Sequence, residues 1–276
     1  MRVIAIANQK GGCGKTTTAV NLAVCLAEIG ERTLIVDFDP QGHSTIGLGI
    51  DNENLSVTIY DAIMKSQVSI SEVIVRTKFE HLDIAPSNVL LSGAEVELVS
   101  VVGREFILSK ELEKVKDNYD VCIIDCPPSL SLLTLNSLVA SSDIVVPVQV
   151  HYYAMEGLKQ LFETINIIKE HLHSCNVKIL GLLLTFVDKT TLLSRQTQSQ
   201  MREYFGDLVF ETVIHRSVRL AEAPSTGEPV LTYAPESRSA AEYRALAQEI
   251  INGKVSVEQK DDAQAFSQEI VNVGEG

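Results

Sequence analysis

The segment Gln9-Lys-Gly-Gly-Cys-Gly-Lys-Thr-Thr17 concentrates the residue types that handle phosphate. A phosphate chain needs several backbone N–H donors converging on it, and glycines let the main chain approach without Cβ clashes. A helix starting at Lys15 adds its N-terminal dipole. In this pattern Lys15 reaches the β- and γ-phosphates of a nucleoside triphosphate, and the Thr16 hydroxyl coordinates Mg²⁺. Gly11, Gly12, Cys13, Gly14 and Thr17 complete the cradle. A functionless glycine turn would account for GGxG, but not for GGxGKTT set between a strand and a helix. The loop departs from the ordinary GxxxxGK[ST] pattern, because Gln9 stands where the first glycine belongs and a second lysine, Lys10, follows it. From the mouth of the loop Lys10 can turn away from its own nucleotide. It can then neutralise phosphate charge across a dimer interface, as an arginine finger does in trans.

Three acids are placed to join this loop. Asp37 and Asp39, in Val36-Asp-Phe-Asp-Pro-Gln41, fall at the carboxyl end of one apolar run; Asp125, in Ile123-Ile-Asp-Cys-Pro-Pro128, ends another. An isolated Asp after a strand is usually a cap or turn residue. Three beside a GKTT loop indicate an oxygen shell for Mg²⁺, reached mostly through water, with Thr16, Asp37, Asp39 and Asp125 as its candidates.

The elements around these residues must hold them at one edge. Residues 2–7 are apolar and β-rich, and Thr33–Asp37 reads as a short buried strand. Between them Ala19, Leu22, Ala23, Leu26 and Ile29 recur at helical spacing, with Gly30 where a C-cap belongs. Further strands are expected at Leu82–Ala85, Val121–Asp125, Ile144–Val148, Lys178–Thr185 and Val209–Ile214. Helices are expected at 93–116, 130–140, 155–172, 192–205 and 238–251. This alternation predicts an α/β fold, a single-domain, mostly parallel twisted sheet with helices on both faces. Residues 1–253 form that domain, and 254–276 read as an acidic, flexible tail.

Composition narrows the class. Apolar residues make up 45% of the 276, enough for a large core, and no apolar run is long enough to span a bilayer. The opening residues lack a signal peptide's apolar region, so a cytoplasmic protein is expected. Five cysteines without a CxxC pair read as reduced thiols packed as small apolar residues. The net charge of −13 disfavours whole-molecule attraction to nucleic acid but permits a local basic patch.

With these motifs the chain resembles the ParA/MinD superfamily of deviant-Walker P-loop ATPases, and more closely its ParA (Soj) partition branch. The likeness rests on KGGCGKTTT, DFDPQG at 37–42, IIDCPPSL at 123–130, PVQVHYYAMEGL at 147–158 and VRLAEAPSTGEPV at 218–230. It implies slow hydrolysis of Mg·ATP and an ATP-bound sandwich homodimer in which Lys10 touches the partner subunit's nucleotide. It implies that Asp39 positions the attacking water, that Asp37 and Asp125 assist the Mg²⁺ shell, and that Thr185 and His215 flank the adenine. It further implies nonspecific binding to double-stranded DNA, hence a place on the nucleoid, and a ParB-like activator. Three departures stand out: Cys13 replaces the usual valine, His215 a common proline, and Thr190 an arginine expected to contact DNA. Lys189 offers a neighbouring charge, and Arg219 matches the other DNA-contacting arginine.

Phosphate contacts need only cations on one face. Arg216, Arg219, Lys189 and Arg195 are the candidates, with Arg202 and Arg238 also nearby in sequence, among interspersed acids that would equally suit a mixed solvated surface. Other functions stand beside partition. ParA-type positioning of another cargo differs only in its adaptor. MinD-like membrane cycling needs a basic amphipathic C-terminus, whereas this one is acidic with few apolar anchors, so no membrane is expected. An electron-transfer ATPase with a bridging cluster needs a second cysteine in a glycine loop, and none stands near Gly93.

Overall fold

The computed structural model describes residues 1–151, 154–172 and 175–253. In chain order the elements are β1 (Arg2–Ile6), α1 (Lys15–Glu28), β2 (Thr33–Asp37), α2 (His43–Gly47), α3 (Ile59–Met64), α4 (Ile70–Val73), β3 (Val75–Arg76) and β4 (Leu82–Ala85). There follow α5 (Leu91–Glu97), α6 (Ile107–Glu113), β5 (Val121–Asp125), α7 (Leu132–Ala140), β6 (Asp143–Gln149), α8 (Ala154–His171) and β7 (Lys178–Thr185). The last helices are α9 (Leu192–Phe205), α10 (Val218–Glu222), α11 (Val230–Tyr233) and α12 (Arg238–Ile251). The strands form one sheet in the order β3-β4-β2-β5-β1-β6-β7, parallel throughout except for the short antiparallel edge strand β3.

The central strands are apolar along their whole length because both faces are covered. In β1, Val3 and Ala5 enter the core shared with α3 and α5 to α9, while Ile4 and Ile6 enter the core shared with α1, α11 and α12. Helix α1 is buried almost all round. It ends as its sequence signals: Gly30 takes φ 93°, its N–H bonds Ala27 and that of Glu31 bonds Leu26, a Schellman closure. Cys122 and Cys126 share one buried face of the sheet, and all five cysteines are buried and free.

Two expected elements differ. The helix expected over 93–116 is two helices, because Val101-Val-Gly103 interrupts it with Gly103 at φ 70°. Asn136 of α7 receives the second helix, accepting from the Leu108 N–H and donating to the Arg104 carbonyl. The strand expected at Val209–Ile214 runs beside β7 but forms only isolated bridges at Val209 and His215. Its ladder is broken by side chains: the Glu249 carboxylate accepts from the N–H groups of Glu211 and Thr212 at 2.8 and 3.0 Å, and Arg202 donates to the carbonyls of Phe210 and Glu211. The helices α2, α3 and α4 are too short to show a period in the sequence. The tail expected at 254–276 lies outside the described residues.

Where this segment crosses β7, Phe210 is fully buried against Gly181, and a Cβ on Gly181 would lie 2.6 Å from the Phe210 ring. Beside it the β6–β7 register slips by one residue between Ile144 and Val145. A glycine here marks close packing at a bulge. Gly181→Ala is expected to destabilise the protein by about 1–3 kcal/mol, measured as a lower urea midpoint with an unchanged slope.

Candidate nucleotide-binding site

Parallel α/β sheets bind ligands at the carboxyl ends of their strands, and here those of β1, β2, β5 and β7 converge. The β1–α1 loop is held open from beneath. Asn8 accepts from the Lys10 N–H at 3.0 Å and donates to the Pro147 carbonyl at 2.7 Å. The Thr185 hydroxyl, at the end of β7, donates to the Cys13 carbonyl at 2.9 Å. Gly14 caps α1 at φ 92°, a conformation that costs a residue with a Cβ.

The two lysines part company. Lys15 is buried, its ammonium 3.1 Å from the Lys10 carbonyl inside the loop. Lys10 is exposed at the mouth with Gly11 and Gly12, and its ammonium has no ion-pair partner among the described residues. Cys13 packs inward, where burial pushes its thiol up and holds it neutral. Thr16 and Thr17 are half-buried at the floor of the opening.

Asp37 and Asp125 stand directly opposite each other in the β2–β5 ladder, both fully buried. Both carboxyls are raised above the usual carboxylate range: Asp37 by burial and then by the charge of Asp125, Asp125 by burial against the opposing pull of Ser44, Thr16 and Lys15. Helix α2 answers this charge. The Thr45 hydroxyl and N–H donate to Asp37 Oδ2 at 2.7 and 2.8 Å, and the Ser44 hydroxyl donates to Asp125 Oδ2 at 2.7 Å. Asp39 is buried at the rim, with Oδ1 accepting from the Gln41 N–H at 2.9 Å and its carbonyl accepting from the Ser87 hydroxyl. Gly42 enters α2 with no room for a Cβ, which would meet the Ser87 carbonyl at 2.9 Å. Just past its far end the chain comes close to the 223–229 turn through backbone, a Cβ on Gly227 falling 3.1 Å from the Gly49 Cα.

This donor set fits a hard divalent cation. Asp125 Oδ1 is buried without a hydrogen-bond partner among the described residues, and Thr16 and Asp39 are near enough to act on the same carboxyl. Asp37 is committed to Thr45, so the structure separates two carboxylates that look alike in the sequence.

Beside the loop lies a cleft of about 150 Å³, walled by Gly14, Thr17, Thr185, Phe186, His215 and Leu220. Thr185 and His215 are thus together, as expected for residues flanking a base. His215 Nδ1 lies 2.6 Å from Glu242 and Nε2 lies 2.6 Å from Arg238. Burial lowers the His215 pKa against the pull of Glu242, which matches a neutral ring donating to Glu242 and accepting from Arg238.

Of the candidate DNA contacts, all four are exposed. Lys189 and Arg216 act on His215 and Asp188 at the mouth of this cleft. Arg219 pairs with Glu222 at 3.1 Å in α10, and Arg195 sits apart on α9. Arg202 and Arg238 are engaged with backbone and with Glu242, so they serve packing. Asn8, Ser44, Thr45, Ser87 and Glu242 are not evident from the sequence. Only Asn8 carries a visible signal, a polar residue ending an apolar strand before the loop.

The fold and the site define a P-loop ATPase with a lysine at the loop's start. A family model described as an AAA domain matches residues 1–179. The sporulation initiation inhibitor protein Soj of Bacillus subtilis is 50% identical over 249 residues, 90% of this chain and 98% of that protein. The chromosome partitioning protein ParA of Myxococcus xanthus is 46% identical, covering 91% of this chain and 88% of that one. Among solved structures, a cobyrinic acid a,c-diamide synthase from Mycobacterium smegmatis with a bound ATP analog and magnesium superimposes with a TM-score of 0.80. It is 36% identical, over 91% of this chain and 95% of that one. The chain belongs to the Soj/ParA branch of the ParA/MinD-type ATPases.

The clamp of α2 on the carboxylates has a measurable strength. Thr45→Val removes a hydroxyl bonded to a buried carboxylate and is expected to cost about 1.5–3 kcal/mol of stability, read as a lower thermal midpoint of the nucleotide-free protein. Leu48→Ile on the same segment, a volume-conserving change, serves as the control and costs less than about 1.5 kcal/mol.

Proposed function

We propose that the chain is a Mg·ATP-dependent dimerising switch that binds DNA nonspecifically and drives chromosome or plasmid partition with a ParB-like activator. The observation that carries this reading is the division between the lysines. Lys15 is sealed inside the loop, where it serves its own nucleotide, while Lys10 presents its ammonium at the open mouth, where a second subunit's phosphates can meet it. The similarity to Soj and ParA supports partition as the process served.

In this reading Gly11 to Thr17 bind the phosphates through backbone N–H groups, and Thr16 with Asp125, supported by Asp37 and Asp39, holds the cation. When bound, Mg²⁺ neutralises charge developing on the transferred phosphoryl group. Asp39, at the rim with one oxygen fixed by Gln41, orients the attacking water. Catalysis by position and electrostatics suits slow basal turnover that an activator accelerates. Arg219, with Arg216 and Lys189, forms a weak cationic patch that dimerisation doubles, which places the ATP-bound form on the nucleoid.

Three substitutions separate these roles. Lys15→Ala is expected to abolish ATP binding in isothermal titration. Lys10→Ala should retain binding yet stay monomeric with ATP in light scattering. Asp39→Ala should dimerise with ATP and lose on the order of a hundredfold in turnover; wild-type turnover in that variant would sink the water-positioning role.

Binding to random-sequence duplex DNA over a salt series, with ATP, ADP or no nucleotide, tests the function itself. Binding is expected with ATP alone, and each phosphate neutralised by the protein adds about −0.9 to the slope of log affinity against log salt. Arg219→Ala should weaken binding and make that slope shallower by about one per subunit. Binding indifferent to both nucleotide and salt would overturn the DNA-tethered switch.

A further inference from the structure

Gln9 stands where an ordinary phosphate loop has its first glycine. The backbone there does not call for one: the loop's positive-φ residues are Gly12 and Gly14, and position 9 is not among them. What the glutamine adds is therefore a side chain. Its Nε2 is buried and has no hydrogen-bond partner among the described residues. An amide nitrogen carries two donors, and leaving them unmet away from water is costly until a ligand meets them. The neighbouring groups are already committed. The Asn8 amide is tied at both atoms, to the Lys10 N–H and the Pro147 carbonyl, and the Lys10 carbonyl faces the Lys15 ammonium at 3.1 Å.

A second unmet group lies on the neighbouring strand. Asp125 Oδ1 is also buried without a partner among the described residues, at the end of β5, and β5 pairs with β1 so that Asp125 stands opposite Ile6, which Gln9 follows by three residues. The two groups are complementary in kind. An open carboxylate oxygen calls for a cation, and an open amide nitrogen calls for an oxygen acceptor. Mg²⁺ and a phosphate arrive together and meet both. Loop order selects the phosphate. Thr17, at the helix end of the loop, lines the cleft that also contains His215, so a triphosphate whose base lies there runs toward Gln9 at the loop's start. We propose that Gln9 is a specificity-determining residue whose side-chain amide donates to a γ-phosphate oxygen and so favours ATP over ADP. The inference rests on the Mg·ATP reading above and adds to it a contact that the GKTT motif does not include.

Gln9→Met keeps the length of the side chain and removes both donors. It is best made in the Lys10→Ala background, where dimerisation adds nothing to affinity, and titrated with ADP and with a non-hydrolysable ATP analog, each with Mg²⁺. The analog is expected to bind roughly tenfold more weakly than to Lys10→Ala alone, as loss of one hydrogen bond to a charged group predicts, while ADP affinity stays the same. The thermal midpoint of the nucleotide-free protein should hold or rise, because a buried unmet donor is gone. Gln9→Ala should show the same split between the nucleotides, which separates the donor from the fit of the methionine. Unchanged analog affinity in both variants would overturn the γ-phosphate contact and leave the Mg·ATP reading standing. An equal loss for the analog and ADP would also overturn it, making Gln9 a brace for the loop. Failure of the wild-type protein to bind either nucleotide would remove the Mg·ATP reading and this inference with it.

Discussion

Two carboxylates placed side by side in a dry sheet are the constraint around which this molecule is arranged. Parallel pairing sets Asp37 and Asp125 opposite each other at adjacent strand ends, where both are fully buried. The relief comes from a five-residue helix whose successive hydroxyls, Ser44 and Thr45, take one carboxylate each. Glycine at position 42 is what admits the chain into that helix past Ser87. The position of α2 is therefore a function of charge at the phosphate end of the sheet. A cation drawn to the open oxygen of Asp125 acts on the same group that Ser44 holds.

The loop above the acids is organised by the same economy of fixed groups. Asn8 takes one of its N–H groups and Thr185 one of its carbonyls, from two different strands, so its glycines are not slack but tensioned between β1 and β7. Strain appears at Phe186, where that tension meets the segment from 209 to 216, and not in the loop itself. The mouth is left to Lys10, whose backbone is fixed by Asn8 while its side chain is exposed.

Much of this is legible in the residues. The phosphate loop, the acids at strand ends and all the strands but the two-residue edge strand β3 follow from spacing and apolar runs, because each depends on neighbours close in sequence. Where the expectation fails, a distant side chain has intervened. Val209–Ile214 has the composition of a strand, but Glu249 and Arg202 take the groups that would have paired. Residues 93–116 carry a helical period across a glycine that the backbone uses to turn, and Asn136 rewards the break. Asp37 and Asp125 look equivalent in sequence. Only the hydroxyls on α2, in a stretch too short to display a period, distinguish them.

Helix α12 gives the molecule an order of assembly. Its Glu249 closes the N–H groups of residues 211 and 212, and its Glu242 closes both the backbone and the ring of His215. The phosphate-loop residues end at Thr17, whereas the segment from 209 to 216 is held by a helix that ends at Ile251. During synthesis, which delivers the N-terminus first, the phosphate loop emerges long before the strand end and the helix that hold it and its neighbouring segment. The last helix to be made is therefore the one that fixes the segment lying against β7, so the sheet's far edge settles only when the chain is nearly complete.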